Sequence, residues 1–244
     1  MRLNVAAACH DAVQIWKRDR DVIAAVGGVF FFLPNLALAL FMRESSVTVP
    51  VEPKDDQALM ASMQSFLVDN APLLAFQMVA ELVGVAVLLA LLLDPARPTV
   101  GDALRIVARR LPVLIAATML LNIALVCGVA LFIVPGLYVI GRAAMVMPVL
   151  LAEPERRFGD AVGRALDLTR GRVLQLLSLW ALIHLGAYFI QSALQSIARA
   201  ASAGGTNPFT AGIIAIAISA MSMAAAIAYT LVRATIYRRL ASKG

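Results

Sequence analysis

Three ionisable side chains interrupt long apolar runs of this chain: Glu81, Arg142 and His184. Groups of this kind are expensive at membrane depth, and where they occur they bind anions, relay protons or pair with one another. Glu81 falls about ten residues into its apolar run and His184 about eleven, so both sit near mid-depth at 1.5 Å per residue. Arg142 lies six residues past Gly136, in the outer half. Asn35, Gln77, Asn122, Gln191 and Gln195 add amides from mid-depth outward. Two readings stand side by side. In one, these groups line a polar cavity that opens outward, with Arg142 offered to an anionic headgroup or solute and Glu81 as its resting partner. In the other, Glu81 and Arg142 form a buried pair, and the amides are interhelical hydrogen bonds that fix packing. His184 reads either as a hydrogen-bonded core residue or as a proton relay.

Familiar catalytic arrangements are missing. There is no His-Glu-x-x-His, no Gly-x-Ser-x-Gly and no phosphate-binding Walker loop. With only two histidines and two cysteines, no grouping has zinc spacing. Cys9 and Cys127 read as two small buried apolar side chains, not a disulfide. The expectation is a protein that is not an enzyme, with no metal and no cofactor.

The elements that must position these groups follow from composition. Of 244 residues, 61% are hydrophobic and 15% charged, and the mean hydropathy is +0.85. Soluble domains run nearer half apolar and a quarter charged, so a water-soluble globule is excluded. The apolar residues gather into six blocks: 22–42, 71–93, 113–134, 136–152, 173–197 and 209–231. Each is near the length that crosses a bilayer, and helix is the form that satisfies its own backbone there. The expected fold is an all-α polytopic membrane protein with six transmembrane helices in one domain, 1–244. The fourth block, after Pro135-Gly136, is short and reads as starting from a tight turn. Gly27-Gly28 and Pro34 mark a kink or a close contact in the first. Ala220, Ala224 and Ala228 form a small-residue stripe in the last, and Gly159 and Gly163 are expected to allow a similar approach.

Charge sets the orientation. The N-terminal segment, residues 94–112, residues 153–172 and the tail together carry seventeen Lys and Arg, and the alternate loops carry three. By the positive-inside rule both termini are cytoplasmic. The net charge of +6 is therefore a lipid-phosphate and topology signal, not a nucleic-acid one. The first block is itself long enough to span and reads as a retained helix.

The cytoplasmic segments repeat. His10-Asp11-Ala12-Val13, Gly101-Asp102-Ala103-Leu104 and Gly159-Asp160-Ala161-Val162 each lie on an amphipathic stretch ahead of a span. This suggests three parallel units of an interfacial helix plus two spans, about 1–93, 94–152 and 153–244. The apolar faces are expected to meet acyl chains, while Arg105, Arg109, Arg110, Arg164, Arg170 and Arg172 lie among headgroups. Thr99 with Asp102 has the spacing of a capping box.

One further pattern concerns residues 95–244. Val134-Pro135-Gly136-Leu137-Tyr138, then Arg142, Pro148, Glu153 and Phe158-Gly159-Asp160-Ala161-Val162, end in Leu168-Thr169-Arg170-Gly171-Arg172. This order resembles the membrane domain attached to some bacterial glycerophosphodiester phosphodiesterases, and the related stand-alone YciC-type inner-membrane proteins. The polar residue expected near Ala165 is missing. The resemblance implies a bacterial, multi-pass inner-membrane protein without the phosphodiesterase, which in those proteins resides in a separate soluble barrel. The expected function is a non-catalytic module for envelope maintenance that binds membrane lipids or another membrane protein. The alternative is a small transporter or channel using the cavity around Glu81, Arg142 and His184. Oligomeric state is left open.

Overall fold

The computed structural model describes residues 5–41, 56–94, 96, 98–201 and 208–242, and among them every regular element is helical. Arg2, Arg43, Lys54, Arg97 and Lys243, counted in the charge distribution, lie outside the described residues, as do the side chains of Gln195 and Arg199. Helix α1 (Val5–Gly27) leads into a π-helical turn (Gly28–Phe32) and α2 (Leu33–Phe41). Then come α3 (Asp56–Leu93), α4 (Val100–Leu131), α5 (Ile133–Ala143) and α6 (Val146–Ala152). The last three are α7 (Phe158–Thr169), α8 (Val173–Ala201) and α9 (Pro208–Ala241). Five stretches are long and apolar enough to cross a membrane: Ala6–Phe41, Met63–Leu93, Val100–Leu131, Val173–Leu194 and Ala211–Ala241. The stretch Gly136–Ala152 is apolar but shorter than these. This is a multi-pass membrane protein.

Breaks in the helices have local causes. Asp19 leaves helical geometry (φ −116°, ψ 22°), which separates the amphipathic start of α1 from its apolar remainder. At the π-helical turn, Leu33 N–H reaches back five residues to Gly28 O. Pro34 follows, with no N–H to donate. The feature expected at Gly27-Gly28 and Pro34 is thus a π-helical turn with a close contact beside it. Gly27 meets α9, where a Cβ would lie 2.5 Å from Ile227 Cδ1. Gly84 of α3, not singled out by its sequence, meets the π-helical turn, where a Cβ would lie 2.6 Å from Phe30 Cβ.

The turn ahead of the fourth apolar block is displaced from Pro135-Gly136. A single extended residue, Phe132 (φ −165°, ψ 155°), ends α4 and starts α5. Pro135 is accommodated in the first turn of α5, where a missing N–H costs nothing. That block is then broken again at Ala144-Met145, so it is two short helices of eleven and seven residues. Thr99 caps α4 as expected, accepting from Asp102 N and donating to Asp102 Oδ2 at 2.7 Å. Helix α7 leaves through Gly171 at φ 71°, a conformation that favours glycine.

The amphipathic stretches correct one expectation. Ala8, Ala12 and Ile15, Ala103 and Val107, and Ala161, Ala165 and Leu168 are buried in the protein core, not turned toward acyl chains. Only part of each stripe, such as Val13 and Leu166, stays exposed. Gly159 and Gly163 have nothing within 4 Å of an added Cβ, so no close helix approach occurs there. Cys9 is half-buried and Cys127 exposed on the bundle surface.

Both ends of the described chain meet. Arg239 of α9 bonds Asp11 Oδ2 at 2.5 and 2.8 Å, and Thr235 donates to Ala8 O at 3.2 Å. Nearby, Glu153 accepts from Tyr237 OH at 2.8 Å, pairs with Arg156, and lies 3.8 Å from Arg164. Burial pushes the Glu153 carboxyl up, but these hydrogen bonds and charges outweigh it and hold it below the usual carboxylate range.

Candidate functional site

A cavity of about 450 Å³ lies between α3, α4, α5, α6, α8 and α9. Its walls are largely apolar, from residues such as Leu82, Val85, Leu121 and Ile140. Its polar groups are Glu81, Thr118, Asn122, Trp180, Tyr229 and Arg233. Met78 and Asn122, which line it, are exposed, so the cavity opens on the flank of the helical bundle.

Arg233 is placed by a proline. Pro148 has no N–H, so the carbonyl four residues back, Ala144 O, has no partner along its own helix. This is the break between α5 and α6. Arg233 Nε donates to Ala144 O at 2.7 Å, and the guanidinium lies 5.1 Å from the centre of the Tyr229 ring, one turn earlier on α9. Its Nη1 and Nη2 make no hydrogen bond, and no carboxylate pairs with it, among the described residues. An arginine cannot shed its charge, so an uncommitted cation faces an apolar cleft.

Glu81 sits elsewhere on the same cavity, beyond ion-pair distance from Arg233. Its Oε1 accepts weakly from Asn35 Nδ2 at 3.5 Å. Asn35 also donates to Phe31 O at 2.8 Å, and accepts from Gln77 Nε2 at 3.0 Å. A small amide network between α2 and α3, anchored on Phe31 O of the π-helical turn, thus holds Glu81 from one side. Asn35 and Gln77 are therefore supports for Glu81 and do not themselves line the cavity.

The expected cluster is split. Arg142 does not meet Glu81. It bonds Tyr138 OH at 2.5 and 2.8 Å, stacks over that ring, and donates to Leu166 O at the end of α7, with Thr169 Oγ1 at 3.4 Å. The reason is local: Tyr138 is one turn earlier on the same helix, and Leu166 O, which loses its backbone partner where Arg170 N turns to Asp167 O, accepts from Thr169 Oγ1 and from Arg142 instead. His184 does not line the cavity either. Its Nδ1 donates to Trp180 O at 2.9 Å, and it stacks on Trp180 and meets Tyr229 edge-on, bracing two wall residues from behind. Asn122 lines the cavity and returns a bond to Thr118 O at 2.9 Å.

The headgroup arginines also divide. Arg105, Arg109 and Arg170 are exposed, and Arg105 lies 3.7 Å from Asp102. Arg110, Arg164 and Arg172 are instead engaged inside the protein. Arg110 donates to Leu150 O at 2.8 Å, a carbonyl orphaned by Pro154. Arg172 takes Leu168 O at 3.2 Å. Arg164 faces Glu153, with its Nε buried and unbonded.

Sequence reasoning missed Arg233, which it counted with the cytoplasmic tail because the apolar block stops at 231. Two signals pointed to it: Tyr229 and Arg233 share a helix face, and Pro148 frees Ala144 O. No family model matches the chain, and no curated protein or solved structure matches it either.

Proposed function

We propose that this chain is a non-catalytic inner-membrane protein that holds a membrane lipid in the cleft on its flank. The observation that carries this reading is the cleft itself: apolar walls open to the side of the bundle, with Arg233 at its lining facing no carboxylate among the described residues. A free ion in water would meet mostly apolar surface there, whereas a lipid supplies acyl chain for the walls and a polar head for the cation. The transporter reading loses two of its three residues, since Arg142 and His184 lie off the cavity. The resemblance of residues 95–244 to a bacterial membrane domain accords with a binding module.

The same proposal includes six crossings, with α5 and α6 together making the fourth, three repeat units and both termini cytoplasmic. The charge distribution supports the orientation, and so does the contact between Asp11 of α1 and Arg239 near the end of α9. In a chain without Cys9 and Cys127, cysteines at positions 50 and 205 should react from outside the cell and Gly163→Cys should not. The lipid reading is tested by native mass spectrometry of protein extracted in mild detergent. One phospholipid per chain should survive gentle activation. Bare protein at every activation energy would refute the reading.

A further inference from the structure

Resting on that lipid reading, the cleft specifies a headgroup. It is lined by one fixed cation, Arg233, and one carboxyl group, Glu81, too far apart to pair with each other. Arg233 has Nη1 and Nη2 uncommitted, a fork that matches two oxygens of a phosphate. Among the described residues Glu81 has one weak hydrogen bond, from Asn35. Each charge in an apolar cleft is costly unless it meets a partner. A phosphodiester alone answers Arg233 and leaves Glu81 unpaired. A phosphate joined to an ammonium answers both.

We propose that the cleft binds a zwitterionic phospholipid of the phosphatidylethanolamine type, with the phosphate on Arg233, the ammonium on Glu81 and an acyl chain leaving through the flank past Met78. The ammonium is a donor of up to three hydrogen bonds, which suits a carboxylate already held by Asn35. Trp180 and Tyr229 line the same space.

The test uses full-length protein, delipidated in detergent and titrated with phosphatidylethanolamine, phosphatidylglycerol and water-soluble glycerophosphoethanolamine. Binding is read by native mass spectrometry. Phosphatidylethanolamine should bind roughly tenfold more tightly than phosphatidylglycerol, the factor that one charged contact commonly carries. Glu81→Gln should erase that preference by weakening only the first lipid. Arg233→Gln should weaken both lipids about tenfold. If Arg233→Gln does not fold, Arg233→Lys keeps the charge without the fork and should weaken both lipids less while keeping the preference. Wild-type protein that binds phosphatidylglycerol as well or better would overturn the headgroup assignment and leave the lipid reading standing. Equal binding of glycerophosphoethanolamine would mean a soluble solute, not a lipid. No binding of either lipid would remove the lipid reading itself.

Discussion

An arginine at the end of a helix in a membrane protein has two outlets, a lipid phosphate or a carbonyl that its own backbone leaves unpaired. In this chain the second outlet is used repeatedly. Arg110 serves Leu150 O, Arg142 serves Leu166 O, Arg172 serves Leu168 O, Arg233 serves Ala144 O and Arg238 serves Leu92 O. Two of these carbonyls are freed by prolines four residues on, and the others lie at helix ends. Charge-assisted bonds of this kind contribute about 1.5–3 kcal/mol each. Arg142→Leu should therefore lower stability in detergent by about 1.5 kcal/mol. In a double-mutant cycle with Glu81→Leu the two losses should add to within about 0.5 kcal/mol, because the residues share no partner. A coupling well above that, measured by denaturant unfolding, would revive the Glu81–Arg142 pair. Glu153 gives a pH signature. Its folded carboxyl holds a proton less tightly than the unfolded one, so its contribution is complete above the ordinary carboxylate range and is lost as pH falls through the lowered folded value. Glu153→Gln should flatten the acid side of a stability-against-pH curve, and an unchanged curve would contradict the pairing.

At the scale of elements, the apolar blocks were legible because length and hydropathy alone decide what can cross a bilayer. Five of the six blocks overlap a helical stretch long enough to span, the third running past the end of α4 into α5, and the fourth stays short, as its length announced. The breaks were harder to read. Phe132 carries no turn signature, while Pro135-Gly136, which does, is tolerated inside α5 because proline fits a helix's first turn. Close approaches depend on which face meets which helix, and only the folded bundle fixes that. Gly141 shows the consequence. A Cβ there would lie 2.6 Å from Val173 Cγ1 and 3.0 Å from Val173 O, where α5 meets the start of α8. Gly141→Ala should destabilise the protein by about 1–3 kcal/mol, the usual cost of overpacking. Gly163→Ala, with open space around it, should be neutral or raise stability by up to about 1 kcal/mol through helix propensity. Equal midpoints for both variants in a detergent unfolding series would contradict the packing at Gly141.

Across the whole molecule, the sequence made the membrane class plain, and it pointed to Glu81 and Asn122 as groups of interest. It did not reveal which cation shares their cavity. The choice between Arg142 and Arg233 is made by contacts in the fold: Tyr138 and α7 claim the first, and the proline-induced break between α5 and α6 claims the second. On the proposed reading a lipid occupies the cleft beside Arg233. Trp180 lines that cleft, and the chain has only one other tryptophan, Trp16. In a Trp16→Phe background, Trp180 fluorescence can be followed in vesicles as phosphatidylethanolamine with brominated acyl chains replaces the ordinary lipid. A lipid held in the cleft predicts quenching that saturates at low mole fraction of the brominated lipid, and Arg233→Gln should turn this into a gradual, bulk-like rise. Quenching that tracks the bulk mole fraction in both proteins would contradict the account.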